Sequence, residues 1–290
     1  MSVTLKSIIF LALTFTLSWT VTIIGWGMGL QNSPLAFVVL TLMMAGPAIA
    51  AAACAYAFEK GRRVEALGLR FRPNMWWLWA FAIPLALAIV AVVATAIASP
   101  YGFADPARAV ATMVAERTPD QVSQLPAPLV LDALLVLQVL VGAAINAVAL
   151  TFTEELGWRG YLHYLWRPSG YWRTSLGTGA IWGLWHAPAI YLFGLNYPDN
   201  RAIGIPIFIV FCTLLAPVMT LIRDRGGSTW AAGIAHGTIN AVAGLTVLCL
   251  AQPQFPWVGS VGIGGFVALA LALMGVIAVR RGLAPQPAAA

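Results

Sequence analysis

Charge is what this chain has least of. Only 9% of its 290 residues are Asp, Glu, Lys or Arg, where a soluble domain carries roughly 25% to keep its surface wet. That shortage excludes water as the main solvent. Cysteine is also scarce: Cys54, Cys212 and Cys249 each stand alone inside an apolar run. With no CxxC or Cys/His spacing, a disulfide framework and a cysteine metal site are both excluded, and the three read as packing residues. Internal repeats and linkers are missing too, apart from an Ala/Pro-rich tail at 283–290 that is expected to be disordered. The net charge of +6 invites a nucleic-acid reading, which the placement of the charges removes.

What the chain does have is apolar length. Sixty per cent of it is hydrophobic, and eight runs, 7–30, 34–58, 76–98, 128–152, 174–194, 204–222, 229–250 and 259–279, approach or exceed what a bilayer crossing needs. A hydrocarbon core of about 30 Å takes about 20 helical residues, and a soluble core helix has no reason to be so long. If the N-terminus is cytoplasmic, thirteen of the sixteen Lys and Arg residues fall on that side, and only Arg108, Arg117 and Arg201 fall opposite. The positive-inside rule and the eight-span count therefore support one another. The expectation is an all-α, polytopic transmembrane bundle of about eight spans with both termini cytoplasmic, in the cell's inner (plasma) membrane. Its first span exceeds a signal-peptide h-region and has no evident cleavage site after it, so it reads as retained. Residues 1–127 are read as N-terminal helices with a basic cytoplasmic loop and a long outer loop, 128–250 as the functional core, and 251–290 as a last span and tail.

Two stretches between spans stand out. Residues 59–74 (EKGRRVEALGLRFRPN) form the basic loop, a topology determinant that meets anionic headgroups, with a docking surface for a substrate tail as the alternative. In the outer loop Asp105 followed by Pro106 reads as an N-cap and first helical residue. Val110, Met113 and Val114 then give the short helix an apolar stripe for the outer interface.

An ionisable side chain inside a membrane helix costs several kcal/mol and normally faces the bundle interior with a task. Here such residues are few and grouped. The fourth span ends in TFTEELGWRG, the fifth holds AIWGLWHAP, and the seventh holds AAGIAHGTINAVAG. Glu155 and Arg159 are four apart with the acid first, the favourable order for an ion pair. Consecutive helical residues point about 100° apart, which leaves Glu154 as a free carboxylate. His236 and Asn240 share one face of an Ala/Gly-rich helix, whose Ala231, Ala232, Gly233, Ala235, Gly237, Ala241 and Gly244 let neighbouring backbones come close.

Taken singly, each feature has a plain explanation. Glu155 with Arg159 would be an interfacial ion pair, His186 a packing residue beside a kink at Pro188, His236 with Asn240 interhelical glue, and His163 an interfacial residue. Together, at compatible depth, they indicate one shared site, and hydrolysis of a peptide bond near the cytoplasmic membrane face is the chemistry that suits it. A carboxylate beside an imidazole holds a water and takes its proton, while Asn240 and the second imidazole donate to an oxyanion. The alternative is zinc held by His186, His236 and Glu154, although no HExxH is present and Asn is a poor zinc ligand.

The order EExxxR (Glu154, Glu155, Arg159), an aromatic four residues before His (Trp182, His186), then HxxxN (His236, Asn240) resembles the CPBP family of intramembrane proteases. That family includes the type II CAAX prenyl endopeptidases and the bacterial Abi or bacteriocin-immunity proteins. The resemblance covers roughly residues 128–250. It implies that Glu154 and His186 activate the water, His236 and Asn240 stabilise the oxyanion, and Glu155 and Arg159 shape the site. Trp182 departs from the family's more frequent Phe and would keep the aromatic wall. Family members have been described both as metalloproteases and as metal-independent glutamate peptidases; the reading favoured here needs no cofactor. The expected partners are a membrane-bound protein or peptide substrate and the lipid bilayer, with no nucleic acid. A proton-coupled transporter and a non-catalytic scaffold are the other classes such residues would serve, but no inverted repeat or matching pair of broken helices supports the first.

Overall fold

The computed structural model describes residues 1–252, 254–257 and 259–282, so the tail at 283–290 lies outside the described residues. It is all-helical, with no strand among the described residues beyond one isolated bridge between Phe103 and Leu250. The long elements are α1 (Val3–Gly27), α2 (Ala36–Phe58), α4 (Met75–Ala98), α6 (Pro128–Leu150), α10 (Arg201–Gly226), α11 (Thr229–Leu248) and α12 (Ile263–Gly282). Shorter ones are α3 (Arg63–Ala66), α5 (Pro106–Arg117), α7 (His163–Trp166), α8 (Tyr171–Trp185) and α9 (Ala187–Phe193).

Local chemistry sets many of the boundaries. Side chains of Ser2, Asn74, Asp105 and Ser228 accept backbone N–H bonds at the starts of α1, α4, α5 and α11, each cap contributing about 0.5–2 kcal/mol. Gly194 and Gly227 end α9 and α10 in the left-handed conformation (φ 73° and 67°) that a Cβ would penalise.

Among the described residues seven helices, not eight, are long and apolar enough to cross a membrane. The expected fifth span is the exception, because it is two short helices meeting at His186. Pro188 has no N–H and its ring clashes with the carbonyl four residues back, which favours a break here, although Pro47, Pro84, Pro206 and Pro217 are carried inside long helices elsewhere. The pair still makes one passage through the bundle. Tyr171, at its start, lies beneath Arg280 of α12, and the chain beyond α9 meets the far loops through Tyr197, whose hydroxyl donates to the Val261 carbonyl (3.0 Å).

Two ends of the bundle are thereby defined. At the basic end Lys6 pairs with Glu59, Arg167 with Glu65, and His163 with Asp224. The 59–74 loop is docked rather than free: the Gly68 carbonyl accepts from Thr229 N (2.9 Å) and Ser228 Oγ (3.1 Å). At the other end Ala104 N donates to the Cys249 carbonyl (2.9 Å). The start of α1 and the end of α12 thus approach the same, basic end.

Close helix packing follows the small residues. A Cβ at Gly233 would meet the Ala147 carbonyl at 2.8 Å, and one at Gly237 would strike the backbone of Asn146 and Ala147, so α11 presses its backbone onto α6. Gly244 has nothing within 4 Å and plays no part in this contact. Gly179 and Gly183 bring α8 equally close to the backbone of α10. Cys54 and Cys212 are buried and Cys249 is half-buried.

Candidate active site

The α6 helix does not stop where the fourth span was expected to end. It continues as a π-helix over Thr151–Leu162, twelve residues that include both glutamates. Thr151 and Thr153 return their hydroxyls to the Ala147 and Ala149 carbonyls (2.7 and 2.9 Å), a back-bonding that disturbs regular helix geometry at the transition. The widened segment fits against α2 at its internal Pro47, where a Cβ on Gly157 would come within 2.6 Å of the proline ring. Such π-segments are rare and concentrate at functional sites.

Glu155 is fully buried, and its Oε1 accepts two bonds: Arg159 Nη1 at 2.9 Å and His236 Nδ1 at 2.8 Å. The ion pair read from the four-residue spacing is present, and it has a third member from α11. Arg159 is 1% exposed, stacks its guanidinium over the Trp182 ring at 4.3 Å, and through its carbonyl accepts from Arg223 Nε at 2.8 Å. An ion pair this deep is costly to break, because removing one partner strands the other charge.

Glu154 corrects the expectation of a free carboxylate. Its Oε2 accepts the indole N–H of Trp182 at 2.9 Å, leaving Oε1 as the oxygen without a side-chain donor. Trp182 is therefore a donor as well as an aromatic wall, a role that sequence reasoning missed. Its ring also stands edge to face against His236 (5.2 Å between centroids) and His186 (5.8 Å). The sequence signal was the departure itself: a Phe at 182 has no N–H to give.

The break at His186 explains its imidazole. Its backbone N–H turns to the Gly183 carbonyl (3.2 Å), leaving the Trp182 carbonyl to meet His186 Nδ1 at 2.8 Å. A carbonyl only accepts, so Nδ1 carries the proton and Nε2 of the neutral ring keeps its lone pair. His236 likewise commits Nδ1 to Glu155, leaving Nε2 uncommitted.

Glu154, His186, His236 and Asn240 all border one cavity of ≈ 290 Å³, walled mainly by apolar side chains of α2, α10 and α11. Asn240 is exposed at this cavity. Glu155 and Arg159 do not line it and lie behind Trp182 and His236. His163 sits apart, buried at the basic end with Nε2 3.0 Å from Asp224 Oδ1. Among the described residues no three His, Cys, Asp or Glu side chains are placed to hold one metal ion. No step below is routed through a metal.

At about 1.5 Å per residue, His236 lies roughly 12 Å along α11 from Ser228 at the basic end. The group is therefore inside the bundle, nearer the basic end than the other. No curated protein matches the chain. Residues 133–242, which carry all six side chains from Glu154 to Asn240, match the family model of type II CAAX prenyl endopeptidase, Rce1-like, and this match supports a membrane-embedded hydrolase of the CAAX-protease class.

Proposed function

We propose that the protein is an intramembrane endopeptidase that uses Glu154 and His186 to activate water. One observation carries the reading. The uncommitted Glu154 oxygen, the imidazoles of His186 and His236, and the Asn240 amide share a cavity whose other walls are largely apolar. A water between Glu154 Oε1 and His186 Nε2 donates both hydrogens and turns a lone pair toward a peptide carbonyl carbon. As the C–O bond forms, its proton passes to Glu154. The carbonyl oxygen becomes an oxyanion and accepts from the Asn240 Nδ2–H and from Nε2–H of His236 when that ring carries its second proton, with Glu155 behind it supplying the opposing charge. Collapse breaks the C–N bond, and the proton held by Glu154 goes to the leaving amine.

Apolar walls raise the worth of each of these interactions, since little water competes for them. Positive-inside bias assigns the basic end to the cytoplasm. The test is hydrolysis of tagged single-span and C-terminal peptides in detergent by the wild type and by Glu154→Gln. Cleavage by the wild type with none by the variant supports the assignment, whereas equal turnover removes it.

A further inference from the structure

Away from the catalytic group two cavities adjoin at Phe103, and their chemistry differs. The first, of ≈ 460 Å³, is a groove with α11 as its floor and α4 and α6 as its sides. It runs from Leu85 to Val93 on α4, about 12 Å at a helical rise of about 1.5 Å per residue. Ile89, Val93, Val136 and Leu140 are exposed, so the groove opens sideways to the surroundings of the bundle. Among its described lining residues only Thr246 and Cys249 carry a side-chain heteroatom, and the Thr246 hydroxyl already donates to the Ala243 carbonyl (2.7 Å).

The second cavity, of ≈ 790 Å³, lies at the end of the bundle away from the basic cluster, between α5 and the chain that follows α11. Arg108, Thr112 and Glu116 recur every four residues, so one face of α5 is turned to this space, with Asp105 at its start. Asp105 Oδ1 accepts from Arg108 N (2.9 Å), which leaves Oδ2 for another donor. Among the described residues Asp105, Arg108 and Glu116 enter no ion pair, with one another or with any other side chain. One guanidinium and two carboxylates therefore stand at the mouth of an apolar groove.

We propose that the two cavities form one lipid site, which takes a phospholipid with a primary-amine head, phosphatidylethanolamine. An acyl chain suits the groove because it has no polar group to satisfy, whereas an extended polypeptide there would bury its N–H and C=O groups unpaired. At the mouth Arg108 donates to the phosphate, and the ammonium donates to Asp105 Oδ2 and Glu116. Charge balance selects this head. One cation beside two anions disfavours a purely anionic head, and a quaternary ammonium has no N–H to give the carboxylates. The groove floor belongs to the helix that carries His236 and Asn240. Val242, two residues after Asn240, lies about 200° round α11 and lines the groove, so the acyl chain braces α11 from behind its catalytic face. This site stands apart from the endopeptidase reading.

Native mass spectrometry of the full chain tests this, with phosphatidylethanolamine, phosphatidylcholine and phosphatidylglycerol of matched chain length supplied at equal mole fraction in detergent. One phosphatidylethanolamine stays bound at collision energies that strip the other two, and its addition raises Tm by mass action. Arg108→Ala and Asp105→Asn, the second of which keeps the helix cap, each weaken its retention at least about tenfold, the loss expected for one charge-assisted contact. Val93→Trp, at an exposed position, fills the groove and displaces the acyl chain; Ile89→Trp is the second probe if Val93→Trp does not fold. Equal retention of all three lipids means bulk lipid only and overturns the site. A preference for phosphatidylglycerol overturns the choice of head, and retention by the groove variant equal to wild type overturns the seat of the chain. A second copy of the protein held in place of the lipid overturns the assignment as a whole.

Discussion

Glu154 and Glu155 are neighbours in the chain and belong to different regions of the molecule. Glu155 sits in a sealed layer with Arg159, held by two hydrogen bonds and without contact to the cavity. Glu154 faces the cavity, tethered at one oxygen by Trp182 and open at the other. In the mechanism proposed, one carboxylate holds structure and the other meets the reacting atom. In a low-dielectric interior the same group serves either purpose depending on what surrounds it.

Substitutions on each side of that divide sharpen or break the comparison. The largest effect belongs to Glu154→Gln, which keeps the shape and the bond from Trp182 but cannot take a proton. Hydrolysis falls to background while Tm stays within about 2 °C, a difference corresponding to about 1 kcal/mol. A parallel fall in Tm would place Glu154 on the structural side.

Asn240→Ala follows, with kcat lower by about 100- to 1000-fold and KM little changed, the usual loss for one oxyanion donor. The same preparation tests metal dependence. Chelator leaves wild-type turnover intact in the mechanism proposed, and silencing by chelator with recovery on adding zinc would overturn the role given to Asn240.

Glu155→Gln acts through stability. Leaving Arg159 and His236 without their carboxylate costs about 3–5 kcal/mol, read as a lower denaturation midpoint in detergent, and activity declines because His236 loses its anchor. A variant as stable as wild type would mean that this buried pair is replaceable.

Trp182→Phe has the smallest expected effect, and the most local. It keeps a ring beneath Arg159 and removes only the N–H bonded to Glu154, so kcat drops about 10- to 100-fold, matching the roughly 1.5–3 kcal/mol of a hydrogen bond to a charged group. KM and Tm hold. In a Glu154→Gln background the same change causes no further loss of activity, since the two act as one unit.

Membrane class, most of the span positions and the gathering of basic residues at one end were legible in the sequence, because hydropathy and charge are local properties summed over about 20 residues. So was the Glu155–Arg159 pair, whose four-residue spacing puts the partners on one face. The small residues of α11 announced a close helix approach, though not which helix they meet. Tertiary structure alone decided the rest. The bond from His236 to Glu155 depends on the register between α11 and the π-segment. The bond from Trp182 to Glu154 depends on how α8 sits against that segment, and the commitment of His186 Nδ1 depends on a backbone break that Pro188 permits but does not specify. The apolar groove between α4, α6 and α11 is further from the sequence still, since it is set by helices that share no local pattern. Burial and partnership are properties of neighbours brought together by packing, and a chain read one residue at a time carries the helices but not the distances between them.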